Sequence, residues 1–288
     1  MHRRRFVAAG ALSALVPHTH AAARPLRITY GIVWPCSTLI TEIAASVLRR
    51  HLNVAVELLS APGAPMWEAV AAGRADVLLC AWLPTTHAAY WQRYRHRVID
   101  CATVASGTWL GLAVPDYVPI DSIDQLRDAH ASLGDRIVGI DAGAGLMLRT
   151  REAIARYELR DLQLLTSSTV AMQAQLARAV ERRRPIVVTA WKPLGIWARH
   201  PLKRLADPLG VFGTGDRIDA LITPSLPQRA PRVVDFLRRY RLPLPEIEAM
   251  MLRLDDGVPL ARVTSDWLRG HAAEIARWTQ GDARPAMR

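Results

Sequence analysis

The sequence is poor in lysine, and its basic residues bear on whether the chain can bind nucleic acid. Only Lys192 and Lys203 are lysines, so arginine carries nearly all of the formal charge of +11. Apart from Arg182–Arg184, the arginines are scattered through the mature chain rather than gathered in blocks. A nucleic-acid-binding face needs clustered basic residues, so we expect no nucleic-acid partner.

Cysteine is also scarce, and the motifs of catalysis are missing. The three cysteines, Cys36, Cys80 and Cys101, are an odd number without C-x-x-C or metal-ligand spacing. They are either three free thiols or one disulfide with a lone thiol. Ser167-Ser168 and His87 could suggest a hydrolase, but there is no G-x-S-x-G elbow or phosphate loop. We therefore expect no enzyme activity, no catalytic or metal site and no cofactor.

Long apolar runs are lacking after the N-terminal segment. Residues 1–23 have a charged start (MHRRR), an apolar stretch (FVAAGALSALV) and small residues for cleavage, which predicts a signal peptide. RRRFV also fits a twin-arginine signal. No cysteine follows for a lipid anchor, and no later run reaches the ~20 residues of a membrane helix. We expect a soluble periplasmic protein whose charge after cleavage falls from +11 to +8.

Strand-like and helix-like segments alternate along the rest of the chain. The strand-like segments are continuous apolar runs, which are typical of parallel strands covered by helices on both faces. This pattern predicts an α/β fold, and the length of 288 residues favours two lobes.

Tryptophan is abundant where phenylalanine is scarce, with nine Trp against three Phe. Three apolar runs close on a tryptophan beside a proline: ITYGIVWP (28–35), DVLLCAWLP (76–84) and PIVVTAWKP (185–193). Ligands of open α/β sheets bind outside the carboxyl ends of the strands. We therefore expect Trp34, Trp82 and Trp191 to face a common crevice.

Indole faces without a carboxylate suit a quaternary ammonium group, which has no N–H to donate and is attracted by the ring quadrupole. Trp109, at the start of a further apolar run, is a candidate for an additional wall. A carboxylate at the other end of a zwitterionic ligand needs donors. The turn at Gly143–Ala144, before a predicted helix, and His87 are candidates for that role.

At these residues the sequence resembles the substrate-binding proteins of glycine betaine/carnitine/choline ABC transporters. The resemblance runs from about residue 27 to 280 and rests on segments in a specific order: DVLLCAWLPTTHAAYW, GIDAGAGLM, IVVTAWKP, LKRLADP with VFG, and IEAMMLRLDDG. It implies a two-lobed type II periplasmic-binding-protein fold with a hinge. It also implies an aromatic box that includes Trp82 and Trp191, with Trp34 at the position used in choline-type members.

The resemblance further implies a quaternary ammonium ligand and a permease in the inner membrane as partners, and we expect a monomer. We place the hinge crossings near Ala113–Pro115 and Gly213–Asp216. Lobe one is then 25–113 with 217–288, and lobe two is 114–216. A receptor of the same fold that feeds a signalling system instead of uptake is left open.

Three positions depart from the family pattern. Leu242 stands where betaine-type members often have another box tryptophan, and Cys36 stands where choline-type members have an acid for the hydroxyl group. Leu194 replaces a histidine that many members have after the W-x-P motif. These departures concern which ligand is bound rather than its class.

Overall fold

The computed structural model describes residues 24–280, and the predicted signal peptide lies outside them. Strands and helices alternate, as the sequence predicts. The strands are β1 (Leu26–Tyr30), β2 (Val56–Ser60), β3 (Val77–Leu83), β4 (Ile99–Pro115), β5 (Arg136–Val138), β6 (Gln163–Leu165), β7 (Val187–Lys192), β8 (Leu202–Arg204) and β9 (Asp216–Ile222). The helices are α1 (Pro35–His51), α2 (Gly63–Ala71), α3 (Ala88–Tyr94), α4 (Leu126–Ala129), α5 (Gly145–Arg156), α6 (Thr169–Glu181), α7 (Ile196–Arg199), α8 (Leu226–Arg229), α9 (Pro231–Arg239), α10 (Leu244–Asp255), α11 (Leu260–Gly270) and α12 (Ala272–Gln280).

The strands form a sheet in the order β2-β1-β3-β9-β4-β7-β5-β6, with β8 paired to β4. The pairs β1–β2, β1–β3, β5–β6 and β5–β7 are parallel, as expected for continuous apolar strands. In contrast, β9 runs antiparallel to β3 and β4.

The long strand β4 connects the two halves of this sheet. Its residues up to Thr108 pair with β9, and from Trp109 onward it pairs with β7 and then β8. The change of partner thus comes slightly before the crossing that the sequence suggested at Ala113–Pro115. On the return path, β9 begins at Asp216, within the second suggested crossing.

The core lies between the sheet and its helices. Every residue of β3 is buried, and α1 and α2 both pack on this strand. Pro35 opens α1, where its missing N–H costs no hydrogen bond, and Leu39, Ile43 and Val47 are buried along the helix. Because α1 also packs on α10 and α11, it joins the sheet to the C-terminal helices.

The pattern of apolar residues over 259–278 (PLARVTSDWLRGHAAEIARW) is typical of a single helix, but the structure differs from it. The chain instead forms α11 and α12, with His271 at the break (φ −120°, ψ 33°). Gly270 precedes the break, and glycine is a poor helix former, which accounts for its position. Within residues 24–280, no helix combines the length and apolarity needed to cross a bilayer.

Candidate functional site

The three tryptophans that follow apolar runs, Trp34, Trp82 and Trp191, are among the residues that line one cavity. Trp34 and Trp82 come from the β1 and β3 side of the sheet, and Trp191 comes from β7 on the other side. Trp82 and Trp191 are 8% and 7% exposed, so each is nearly enclosed apart from the face that it presents to the cavity. Both halves of the sheet therefore contribute an indole ring to the wall of the cavity.

A turn at the end of β1 sets the position of Trp34. The strand stops at Tyr30, earlier than the apolar run suggested, and the Trp34 N–H donates to the carbonyl of Gly31 (3.0 Å). A Cβ at Gly31 would lie 2.1 Å from Cε3 of the Trp34 ring. Glycine at this position is what allows the indole to fold back over the turn.

Trp82 is held at the end of β3 by two hydrogen bonds. Its Nε1–H donates to Cys80 Sγ (3.3 Å), and its backbone N–H donates to Nδ1 of His87 (2.9 Å). A cis peptide bond follows at Leu83-Pro84, and the second W-x-P segment likewise has a cis bond at Lys192-Pro193. The indole orientation is thus fixed by groups of the same short segment.

A tryptophan on α7 supports Trp191. Trp197 Nε1–H donates to the backbone carbonyl of Trp191 (2.8 Å). Trp109 does not line the cavity: its ring packs against Trp197 (5.0 Å between centroids) and beneath the guanidinium of Arg204 (4.5 Å). The structure therefore places Trp109 outside the aromatic walls, contrary to its suggested position.

Within residues 24–280, no Asp, Glu, Lys or Arg side chain lines the cavity. Its polar groups are the hydroxyls of Ser37 and Thr86, the thiols of Cys36 and Cys80, and the imidazole of His87. All three cysteines are free thiols. The Cys80 sulfur and burial raise the pKa of the Cys36 thiol well above its ordinary value, so Cys36 is uncharged at neutral pH. Hydrogen bonds with Cys36, Trp82 and Ser37 lower the pKa of the neighbouring Cys80 thiol, against the opposing effect of burial.

His87 is buried at the cavity and has a defined tautomer. Because Nδ1 accepts the Trp82 N–H, the proton of the neutral ring is on Nε2. Burial lowers the pKa of His87 to about 4, against a smaller opposing effect of Asp216. His87 is therefore neutral at pH 7 and keeps one N–H donor in the cavity wall.

The depressed pKa of His87 makes folding stability depend on pH. The unfolded chain binds this proton below pH 6.5 and the folded chain only near pH 4, so stability falls as pH decreases through this window. From pH 7.5 to 5.5 we expect His87 to cost ~1 kcal/mol of unfolding free energy. Urea titrations of the native chain and of His87→Asn at both pH values measure the difference.

The pH dependence of the native chain alone does not isolate His87, because Asp219 changes the unfolding free energy in the opposite direction. Burial raises its pKa to about 6, so its folded form takes up a proton as pH falls through 6 and adds stability, opposite to His87. The His87→Asn variant retains the Asp219 effect and loses the His87 effect. Equal pH dependence in both proteins would contradict the depressed pKa of His87.

An aspartate at the start of β9 fixes the loop before His87. Asp216, at the start of β9, accepts the backbone N–H groups of Thr85 (2.7 Å) and Thr86 (2.9 Å) and the Thr86 hydroxyl. Sequence reasoning placed Asp216 at a hinge crossing but gave it no role. Its carboxylate connects the loop that contains Thr86 and His87 to the start of β9.

The start of α5 closes the opposite wall. Ala144 and Gly145 line the cavity, and the first N–H groups of the helix have no intrahelical acceptor. Gly143 does not line it; its carbonyl accepts the Tyr90 hydroxyl (3.1 Å) from the other half of the sheet. A Cβ at Gly145 would lie 2.3 Å from the Thr86 carbonyl oxygen, so the two halves meet closely here.

Some lining residues were missed by sequence reasoning. Leu110, Ile140 and Met251 add apolar surface to the cavity, and nothing in the local sequence distinguishes them from core residues. Leu242, which stands in place of a family tryptophan, is 2% exposed and packs in the core.

The chain matches the family model described as the substrate-binding domain of ABC-type glycine betaine transport systems over residues 24–270. A curated relative, the glycine betaine/carnitine transport binding protein GbuC of Listeria monocytogenes serotype 1/2a (strain 10403S), is 37% identical over 160 residues. That alignment covers 54% of this chain and 53% of the relative, so the chain matches about half of the relative's length.

Two solved structures resemble the chain over nearly its whole described length. Lactococcal OpuAC, in a closed conformation with glycine betaine, is 28% identical with a TM-score of 0.83, covering 88% of this chain and 99% of that one. The glycine betaine/L-proline-binding protein ProX of Borrelia burgdorferi is 25% identical with a TM-score of 0.85, covering 89% and 97%. The expectation of a two-lobed type II periplasmic-binding-protein fold is confirmed.

Proposed function

The chain belongs to the family of substrate-binding domains of ABC-type glycine betaine transport systems, and from this premise we propose that it captures a zwitterionic quaternary ammonium compound of the glycine betaine type. The observation that carries the proposal is the cavity walled by Trp34, Trp82 and Trp191. The indole faces hold the trimethylammonium group through the ring quadrupole. The ligand's carboxylate lies at the other end of the cavity, near His87 and the start of α5.

The carboxylate is proposed to receive hydrogen bonds from neutral donors. Nε2–H of His87 is one, and backbone N–H groups at the start of α5, next to Ala144, are others. A helix N-terminus also attracts negative charge through the helix dipole. Of the residues suggested for this role, His87 and Ala144 line the cavity, while Gly143 is exposed and is not among the lining residues.

Binding is proposed to work by closure of two lobes. The sequence suggested lobes of 25–113 with 217–288 and of 114–216. We propose to move the first boundary to Thr108–Trp109, where β4 changes partner, so that 109–113 belong to the second lobe. A ligand that contacts both Trp82 and Trp191 stabilises the closed form, which a membrane permease can distinguish from the open one. We propose export by the signal peptide, a monomeric receptor, and binding without chemical turnover.

Calorimetric titration tests this function. Glycine betaine, proline betaine, carnitine and choline are titrated into the protein at pH 7.5, with glycine and L-proline as ligands that lack a quaternary ammonium group. We expect heat from at least one quaternary amine and recovery of that ligand unchanged. Tight binding of a primary amino acid with no heat from any quaternary amine would refute the proposal.

Gly145 offers a test of closure that does not touch the indoles. In Gly145→Ala the added methyl group meets the Thr86 carbonyl at 2.3 Å, so the closed form must shift. We expect glycine betaine affinity to fall about tenfold, ~1.4 kcal/mol, with the melting temperature of the ligand-free protein unchanged. Calorimetry and thermal denaturation measure the two quantities.

Gly143→Ala is the matched control for this prediction. A Cβ at Gly143 has no atom within 4 Å, although the residue lies in the same turn. Its affinity should stay within about twofold of the native protein. If the two substitutions weaken binding equally, contact between Gly145 and Thr86 is not part of the bound state.

A further inference from the structure

Three side chains that commonly ligate metals converge where the C-terminal helices meet. Glu246 is in the first turn of α10, His271 lies at the break between α11 and α12, and Glu274 is in the first turn of α12. One carboxylate oxygen or imidazole nitrogen of each lies within 4.8 Å of the others. Between residues 24 and 280, no other three His, Cys, Asp or Glu side chains converge in this way.

The ring of His271 is oriented as in a metal ligand. Its Nδ1 lies 2.7 Å from the backbone carbonyl of Trp267, which can only accept, so Nδ1 carries a proton. Metal-ligating histidines usually donate their second ring N–H in this manner. Trp267 also stacks flat on the imidazole, with 4.1 Å between centroids and 6° between planes. Nε2 is thereby aimed at the two carboxylates.

Nε2 and the carboxylate of Glu246 need a cation between them. Nε2 lies 3.2 Å from Glu246 Oε2, and in the neutral ring both atoms are acceptors. Either a proton or a metal ion satisfies this pair. Glu246 Oε2 is itself positioned by the Nε1–H of Trp267 at 2.7 Å. A metal ion here meets ligands that are already oriented by neighbouring groups.

Glu274 brings a second negative charge to the same place. No basic side chain among residues 24–280 forms an ion pair with its carboxylate. The side chains of His271 and Glu246 are 30% and 33% exposed, so an ion can reach them from solvent.

We propose that Glu246, His271 and Glu274 form a binding site for a divalent first-row transition metal ion, with zinc as the best fit. An imidazole ligand disfavours calcium and magnesium, which prefer oxygen throughout, and the lack of a thiolate disfavours copper(I). Three protein ligands leave the fourth tetrahedral position of zinc to water. This site is separate from the ligand cavity and independent of the proposed function.

The ion would join α10 to the break between α11 and α12. Among the described residues, α10 and α11 are also connected by the Trp267–Glu246 hydrogen bond, by the Arg253–Asp266 ion pair (2.6 Å) and by side-chain packing. Because the three ligands come from separate segments, the unfolded chain does not hold the ion in the same way. Zinc should therefore stabilise the folded protein in proportion to its concentration over its dissociation constant.

Zinc titration of the full chain, stripped with a chelator and free of any affinity tag, tests the proposal. At pH 7.5 calorimetry should give one zinc ion per chain at this site. A zinc concentration about a hundred times the dissociation constant should raise the melting temperature by ~5 °C. His271→Gln and Glu274→Gln should each weaken zinc binding at least about tenfold.

His130→Gln is the matched control. His130 also has two acidic neighbours, but Asp135 faces its Nδ1 (2.6 Å) and Asp161 faces its Nε2 (4.0 Å), on opposite sides of the ring. One ion cannot bind all three, so this variant should keep native zinc affinity. Absence of stoichiometric binding, or native affinity in both His271→Gln and Glu274→Gln, overturns the proposal. Circular dichroism of the metal-free variants establishes that they are folded.

Discussion

Trp82→Ala and Trp191→Ala are each expected to weaken glycine betaine binding about thirtyfold, and the double variant about a thousandfold. Each indole supplies one desolvated face to the trimethylammonium group, and losing such a contact costs ~2 kcal/mol. The thousandfold figure is the sum of two independent losses. Because both residues line the same cavity and contact the same ligand group, a smaller loss in the double variant measures the coupling between them. Calorimetric titration of the three variants measures the affinities.

Two further variants separate the aromatic walls from general effects of tryptophan loss. Trp267→Ala removes a buried indole on α11, far along the chain from the cavity segments and not among its lining residues. We expect Trp267→Ala to leave the affinity for glycine betaine nearly unchanged, even if its melting temperature falls. Trp82→Phe keeps a smaller ring face and should lose less affinity than Trp82→Ala. Comparable affinities for all the alanine variants would remove the aromatic-box assignment.

The position of Trp109 illustrates a limit of sequence reasoning about strands. The run WLGLAVP looks like a strand that begins at Trp109, but β4 begins at Ile99 and merely changes partner there. Side chains alternate between the faces of a strand. Leu110 pairs with Trp191 and shares its face at the cavity, so Trp109 points to the other face. Which residue of a neighbouring pair faces the cavity depends on register, and register involves the partner strand.

Trp34, Trp82 and Trp191 could be placed from the sequence because they depend on local signals. A proline beside each tryptophan ends the apolar run, and ligands of α/β sheets bind at strand ends. In contrast, the acceptor role of His87 Nδ1 and the hold of Asp216 on Thr85 and Thr86 arise from the folded loop. The same applies to His271, whose contacts depend on a break that a long periodic helix pattern concealed.

A betaine-type zwitterion is expected to bind about a hundredfold more tightly than choline. In the described part of the chain, no acidic side chain lines the cavity. Bound choline therefore leaves a positive charge without a partner, whereas a zwitterion is neutral overall. Closure around choline also leaves the donors of His87 and the α5 N-terminus unpaired, at ~1–3 kcal/mol. Cys36, where choline-type relatives have an acid, is an uncharged thiol and a weak acceptor for the choline hydroxyl.

Competition between glycine betaine and choline at pH 7.5, in the native protein and in His87 variants, measures this preference. His87→Asn places an amide near the former Nδ1, where it can still accept the Trp82 N–H, while the Nε2–H donor is lost. His87→Ala removes both. If Nε2–H holds the carboxylate, both variants lose betaine affinity and choline affinity is unaffected in His87→Asn. If only His87→Ala loses affinity, His87 acts by positioning Trp82, and the backbone N–H groups of α5 hold the carboxylate. Tighter binding of choline than of betaine by the native protein would contradict the expected preference, because a cavity with unpaired donors favours the ligand that brings its own negative charge.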